Sequence, residues 1–136
     1  PYTDPSYQRI YRSIFKGSGI AVRDIGYPEA TDAVRAIREQ GGVPVLAHPA
    51  QMDSWSLVPE LVDAGLLGIE VYHPDHGPDD EERSRGLASE YGLFMTGGSD
   101  YHGRNGAPSG VGVRCIAPDE AGGAVAELFE REAELG

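Results

Sequence analysis

Cysteine occurs once in the 136 residues, at Cys115, and lysine once, at Lys16. A single thiol can neither close an internal disulfide nor build a cysteine-based zinc site, and its scarcity fits a reducing cytoplasm. No run approaches the roughly 18 consecutive apolar residues of a membrane span, and Pro1 to Tyr7 carries no signal-peptide pattern, so no membrane partner is expected. An initiator methionine is also missing, so the expectation is a processed product or a piece of something longer. A P-loop, a dinucleotide fingerprint and a G-x-S-x-G elbow are absent, which removes support for nucleotide-cofactor and serine-nucleophile chemistry. Basic residues are few: 11 against 22 acidic ones, a formal charge of -11. That balance speaks against a sequence-blind nucleic-acid clamp and against anionic partners generally, unless bound metal ions reverse the local sign.

What is present is an ordinary globular composition, 40% hydrophobic and 24% charged, with 19 glycines and 10 prolines that imply many sharp turns. Tyr7, Ile10, Tyr11, Ile14 and Phe15 are spaced as one helical face, which Gly17 to Gly19 stop, followed by a brief extended stretch at Ile20 to Val22. Pro28 and Glu29 open a second helix with Ala30, Ala33, Val34 and Ile37 inward, closed by Gly41 and Gly42. Val43 to Ala47 then reads as a strand buried on both faces of a parallel sheet.

The pattern repeats. Ser54 caps a helix that buries Leu57, Leu61 and Val62 and ends at Gly65; Gly68 to Tyr72 is the next strand. Pro78 and the acidic run Asp79 to Glu82 form the solvated first turn of a helix with Leu87, Ala88 and Tyr91 inward, closed by Gly92. Leu93 to Gly97 is a third strand, Gly110 to Ile116 a fourth, and Pro118 to Leu135 a final helix burying Ala124, Leu128 and Phe129. The three clear strands begin near residues 43, 68 and 93, the rhythm of successive βα units.

Each of those strands runs into a ligand-rich segment: Ala47-His48-Pro49, Tyr72 to His76, and Gly97 to Gly103. All 4 histidines lie there. In parallel α/β folds the loops beyond the strands' C-terminal ends share one face, so these residues are expected to converge. Imidazole and carboxylate are ligand types for zinc, manganese and iron. Extended backbone through Asp100-x-His102 would point the two side chains to opposite sides, suiting two neighbouring metals.

LAHP at Leu46 to Pro49, GIEVYHPDH at Gly68 to His76 and TGGSDYHG at Thr96 to Gly103 resemble, in order and spacing, the later motifs of the PHP (polymerase and histidinol phosphatase) metal-dependent phosphoesterases, above all the stand-alone bacterial branch acting on nucleotide phosphates and short oligonucleotides. The resemblance covers most of Ile25 to Ala117. It implies an α/β fold, a distorted seven-stranded β/α (TIM-like) barrel with two or three divalent ions (manganese, zinc or iron) in its mouth. By it, His48, Asp100 and His102 are metal ligands and His76 a catalytic residue facing the phosphate or a metal. His73 and Glu70 lie close by as candidate substrate-binding residues, on opposite faces if alternation holds, and Arg104 is a candidate phosphate contact.

The family's opening H-x-H motif, its early aspartate and histidine and its bridging glutamate have no counterpart here, and 136 residues cannot close a barrel of roughly 250. The expectation is the C-terminal portion of the barrel, three to four βα units over residues 28–136. Residues 1–27 are then the tail of a helical insertion, and an N-terminal part of the same polypeptide is the missing partner. The expected activity is metal-dependent hydrolysis of a nucleotide, oligonucleotide or other small phosphate ester. A noncatalytic metal-binding or scaffolding module is the alternative. An unrelated metal-dependent amidohydrolase barrel ranks last, because it would usually need a metal-bridging lysine on a strand and Lys16 is in the first helix.

Overall fold

Caps set the helix boundaries. In a computed structural model that describes residues 3–23, 25–104, 106, 109–122 and 125, helix α1 spans Pro5–Phe15, with Asp4 accepting the amides of Ser6 and Tyr7 and Pro5 at the position where no N–H is needed. The Ser6 amide and hydroxyl bonds hold the Asp4 carboxyl below its ordinary range. No residue of α1 is buried. Its expected apolar face is instead an i,i+4 stack, Tyr7 on Tyr11 at 6.0 Å and Tyr11 on Phe15 at 5.7 Å between ring centroids. The stretch expected to be extended turns back: the amide of Ala21 bonds to Ile14 O and that of Val22 to Gly19 O.

Helix α2 is Ala30–Glu39, strand β1 Val45–Leu46, helix α3 Val58–Ala64, strand β2 Gly68–Tyr72, helix α4 Pro78–Tyr91, strand β3 Phe94–Gly97 and helix α5 Pro118–Ala121. The strands form a parallel sheet in the order β1-β2-β3, with Val45 beside Gly68 and Gly68 beside Phe94. Gly68 lets the Phe94 ring approach the strand closely, since a Cβ there would stand 2.5 Å from that ring. Helix α4 starts as expected, with Pro78 in its first turn and Asp80 accepting the Gly77 amide at 2.9 Å, and it ends at Gly92 in the left-handed region.

The core is the side of the sheet covered by helices. Ile69, Val71 and Val58 are fully buried, joined by Val34, Leu61, Leu66, Ala88 and Leu93. Ile69 and Val71 are two apart on the central strand and so point to one side. Several expectations fail at the margins. Val45 is exposed, because β1 is an edge strand and not a doubly covered one. Ile37 and Leu57 are exposed as well. Ser54 caps no α-helix; two short 3-10 turns, Pro49–Met52 and Ser54–Leu57, precede α3, and the Ser54 hydroxyl donates to Pro49 O.

Gly110 to Ile116 is no strand but a series of turns and bends. Gly112 has φ 82°, and the amides of Gly112 and Arg114 both point to the Ser99 hydroxyl, which leaves them unavailable for a ladder. Of the expected last helix the structure describes residues 118–122 and Val125, helical over Pro118–Ala121; Ala124, Leu128 and Phe129 lie outside the described residues. Among the described residues no helix is long and apolar enough to cross a membrane.

Candidate active site

The C-terminal ends of the three parallel strands lie side by side, so the segments following them meet. His48 follows β1 with φ 30°, and Asp100 follows β3 with φ 48°. Left-handed backbone in residues other than glycine is uncommon and concentrates where side-chain placement matters. The amide of His48 donates to Glu70 Oε2 at 2.7 Å, and a Cβ on Gly98 would come within 2.5 Å of Glu70 Oε1, so the glutamate lies across the ends of β1 and β3.

His73 packs against both neighbouring imidazoles, with ring centroids 5.5 Å from His48 and 5.4 Å from His76. Its Nε2 is 3.9 Å from Asp100 Oδ2. Strand alternation would separate Glu70 from His73, but the register shifts between Glu70 and Tyr72, and both side chains reach the strand ends. His102 sits on the same side as Asp100, Nδ1 to Oδ1 3.5 Å, not opposite it as an extended backbone would require; the positive φ of Asp100 turns the chain back. His102 and Arg104 are exposed, whereas His73 and His76 are buried.

Among the described residues four buried side-chain atoms lack a hydrogen-bond partner: His48 Nδ1, His73 Nε2, His76 Nε2 and Ser84 Oγ. Three of the four belong to this one cluster. Leaving a buried polar atom unpaired costs roughly 1–3 kcal/mol, so each of the three calls for a partner. Imidazole and carboxylate suit a borderline divalent ion, which fits the sequence expectation. Yet among the described residues no three His, Cys, Asp or Glu side chains are arranged to hold a metal ion. The fit is therefore that of an incomplete ligand set.

Sequence reasoning missed the supports of the cluster. Gln51 Nε2 donates to Asp75 Oδ2 at 2.8 Å, joining the turn after β1 to the loop after β2. Arg114 bonds Glu81 at 2.9 Å and the His76 carbonyl at 3.5 Å. Trp55 packs beside His76, under the guanidinium of Arg83. These pairs are 24 to 38 residues apart for the hydrogen bonds, beyond the reach of any local pattern.

No protein-family model matches the chain. It is 54% identical over 117 residues to phosphoribosyl 1,2-cyclic phosphate 1,2-diphosphodiesterase of Eggerthella lenta, covering 86% of this chain and 45% of that protein. It is 38% identical over 76 residues to 3',5'-nucleoside bisphosphate phosphatase of Chromobacterium violaceum, covering 52% and 27%. Two solved structures resemble it at 26% identity, each over 92% of this chain. One, assigned as a metal-dependent phosphoesterase of Bifidobacterium adolescentis, has a TM-score of 0.70 and is covered over 44% of its length. The other, an amidohydrolase from Chromobacterium violaceum with bound sulfate and no metal, has a TM-score of 0.69 and is covered over 45%. The fold alone does not separate the two descriptions; the names of the curated relatives do. The chain spans less than half the length of the proteins it matches. The likeness to phosphoesterases read from the three strand-end motifs is borne out, and the chain is a part-length homologue of phosphate-ester hydrolases.

Proposed function

We propose that this chain is the C-terminal portion of a metal-dependent phosphoesterase, residues 28–136 supplying late βα units of a seven-stranded barrel and residues 1–27 the tail of a helical insertion. The observation that carries the reading is the cluster of unpartnered buried imidazole nitrogens beside Asp100 at the strand ends. His48, Asp100 and His102 are the metal ligands in this reading, and His76 works beside them. The remaining ligands come from an N-terminal part of the same polypeptide, which accounts for the incomplete set here. The 54% identical relative makes a cyclic phosphate diester of ribose the first substrate to test, ahead of nucleotide bisphosphates and short oligonucleotides.

Two or three divalent ions, manganese, zinc or iron, would supply an activated water and neutralise charge on the phosphoryl oxygens during in-line attack. The residues here have the complementary tasks. Asp100 and His48 fix the position of positive charge at the strand ends, and Glu70 holds the His48 backbone in the geometry that aims its ring. His76, anchored by its Nδ1 on Val71 O at 2.8 Å, keeps a fixed orientation. Exposed Arg104 meets the substrate phosphate from the loop.

The test compares the 136-residue chain with the same chain joined to the preceding segment of its gene. Elemental analysis after dialysis is expected to find weak, incomplete metal retention by the short chain, because a stable site needs about four ligands. Added Mn2+ should give phosphate-ester hydrolysis only in the longer polypeptide. Tight retention of two or three ions and robust turnover by the short chain, abolished in Asp100→Ala, would refute the fragment reading. Failure of the longer polypeptide to hydrolyse any phosphate ester would refute the activity.

A further inference from the structure

Three of the four histidines, His73, His76 and His102, are sorted by their backbone partners. His76 Nδ1 lies 2.8 Å from Val71 O, and His102 Nδ1 lies 2.8 Å from Asp100 O. A carbonyl oxygen only accepts, so in the neutral form of both rings the proton is on Nδ1 and Nε2 carries a lone pair. Such backbone-anchored imidazoles are the usual form of a metal ligand.

His73 has the opposite arrangement. The amide of Asp75 donates to His73 Nδ1 at 3.1 Å. That nitrogen must supply a lone pair, which leaves the proton of the neutral ring on Nε2. This Nε2 is buried, has no hydrogen-bond partner among the described residues, and faces Asp100 Oδ2 at 3.9 Å. The gap exceeds an ordinary N–H···O distance by about 1 Å, within the range of a side-chain rotation. An N–H has no electron pair for a cation.

We infer that His73 is a positioning residue, which holds the Asp100 carboxylate through Nε2–H and is not itself a metal ligand. Its tautomer is set by the Asp75 amide, and Gln51 steadies that amide by bonding the Asp75 carboxylate at 2.8 Å. The inference deepens the phosphoesterase reading and rests on it only for what Asp100 does once oriented. A residue of this kind fixes which carboxylate oxygen faces a ligand, and loss of such a partner commonly weakens metal affinity by about 10–100-fold.

The direct test needs neither metal nor activity. Long-range 1H–15N correlation spectra of the 15N-histidine-labelled chain at about pH 8, above the ordinary imidazole range, read each tautomer. His73 is expected as Nε2–H, and His76 and His102 as Nδ1–H. Gln51→Ala, a change at an exposed residue, should loosen the Asp75 loop and admit the other tautomer at His73. A second readout is the carboxyl 13C resonance of Asp100. His73→Gln places an amide N–H near the position of Nε2 and should preserve that resonance, whereas His73→Asn carries its N–H at the position of Nδ1 and should shift it. A proton on His73 Nδ1, movement of His73 Nε2 to a metal-bound shift on adding Zn2+, or equal Asp100 shifts in the Gln and Asn variants would overturn the inference. Expected tautomers in a longer polypeptide that binds no Mn2+ would instead count against the phosphoesterase reading alone.

Discussion

The backbone amide of His48 donates to Oε2 of Glu70 at 2.7 Å, tying the end of β1 to the central strand. A bond from an amide to a charged acceptor contributes about 1.5–3 kcal/mol when buried, and this part-buried one stands at the lower end of that range. Glu70→Ala should therefore lower the unfolding free energy by about that amount in urea titrations, while Glu70→Gln, whose side-chain oxygen still accepts, should recover most of it. Gly98→Ala should act on the same bond, since its Cβ would stand 2.5 Å from Glu70 Oε1 and displace the carboxylate. In a double-mutant cycle the two changes should be less than additive.

Ile69 is the largest fully buried side chain of the core, in the middle of β2. Ile69→Val is expected to cost about 1 kcal/mol and Ile69→Ala about 2–5 kcal/mol, the difference measuring how far the helices relax around the cavity. Chemical denaturation monitored by the fluorescence of buried Trp55 reads both.

Asp4 caps α1, and the Ser6 hydrogen bonds lower its pKa in the folded chain. A depressed pKa means that the cap's stabilisation is fully present above the ordinary aspartate range and is lost as pH falls through the lowered folded value. Helicity of Pro5–Phe15, followed by Cα chemical shifts, should hold down to about pH 4 and decline below it. Asp4→Asn, which caps without ionising, should remove this local dependence.

On the proposed reading, Asp100→Ala and His48→Ala in the longer polypeptide should each lower kcat by about 100-fold or more, because both would act where charge develops. His73→Ala should cost less, about tenfold, as expected of a residue that acts through Asp100. Thermal melts alongside the kinetics separate these effects from unfolding. A His48→Ala enzyme with wild-type kcat and metal content would remove His48 from the ligand set.

The elements with strong local signals were legible in the sequence. Pro78 and its acidic neighbours mark the start of α4, Gly92 its end, and the apolar runs at Gly68 and Leu93 mark the two strands that pair in parallel. The convergence of three histidine-bearing segments followed from topology alone, because parallel strands put their C-terminal ends on one side. Gly110 to Ile116 misled because its valines favour a strand only where a neighbouring strand pairs with the segment, and here the Ser99 hydroxyl takes the amides of Gly112 and Arg114.

The sequence by itself determined the types of the candidate site residues, their order along the chain and the edge of the sheet at which they gather, since all three follow from residue identity and the period of local structure. Only the tertiary structure decided which atoms face one another. The positive φ of His48 and Asp100, the Glu70 bond beneath His48, the Gln51–Asp75 link and the Asp75 amide on His73 Nδ1 depend on contacts between segments more than 20 residues apart or on turns that no periodicity encodes. A hydrogen bond is directional and short-ranged, so its partners are set when packing brings two loops together, not when either loop is written.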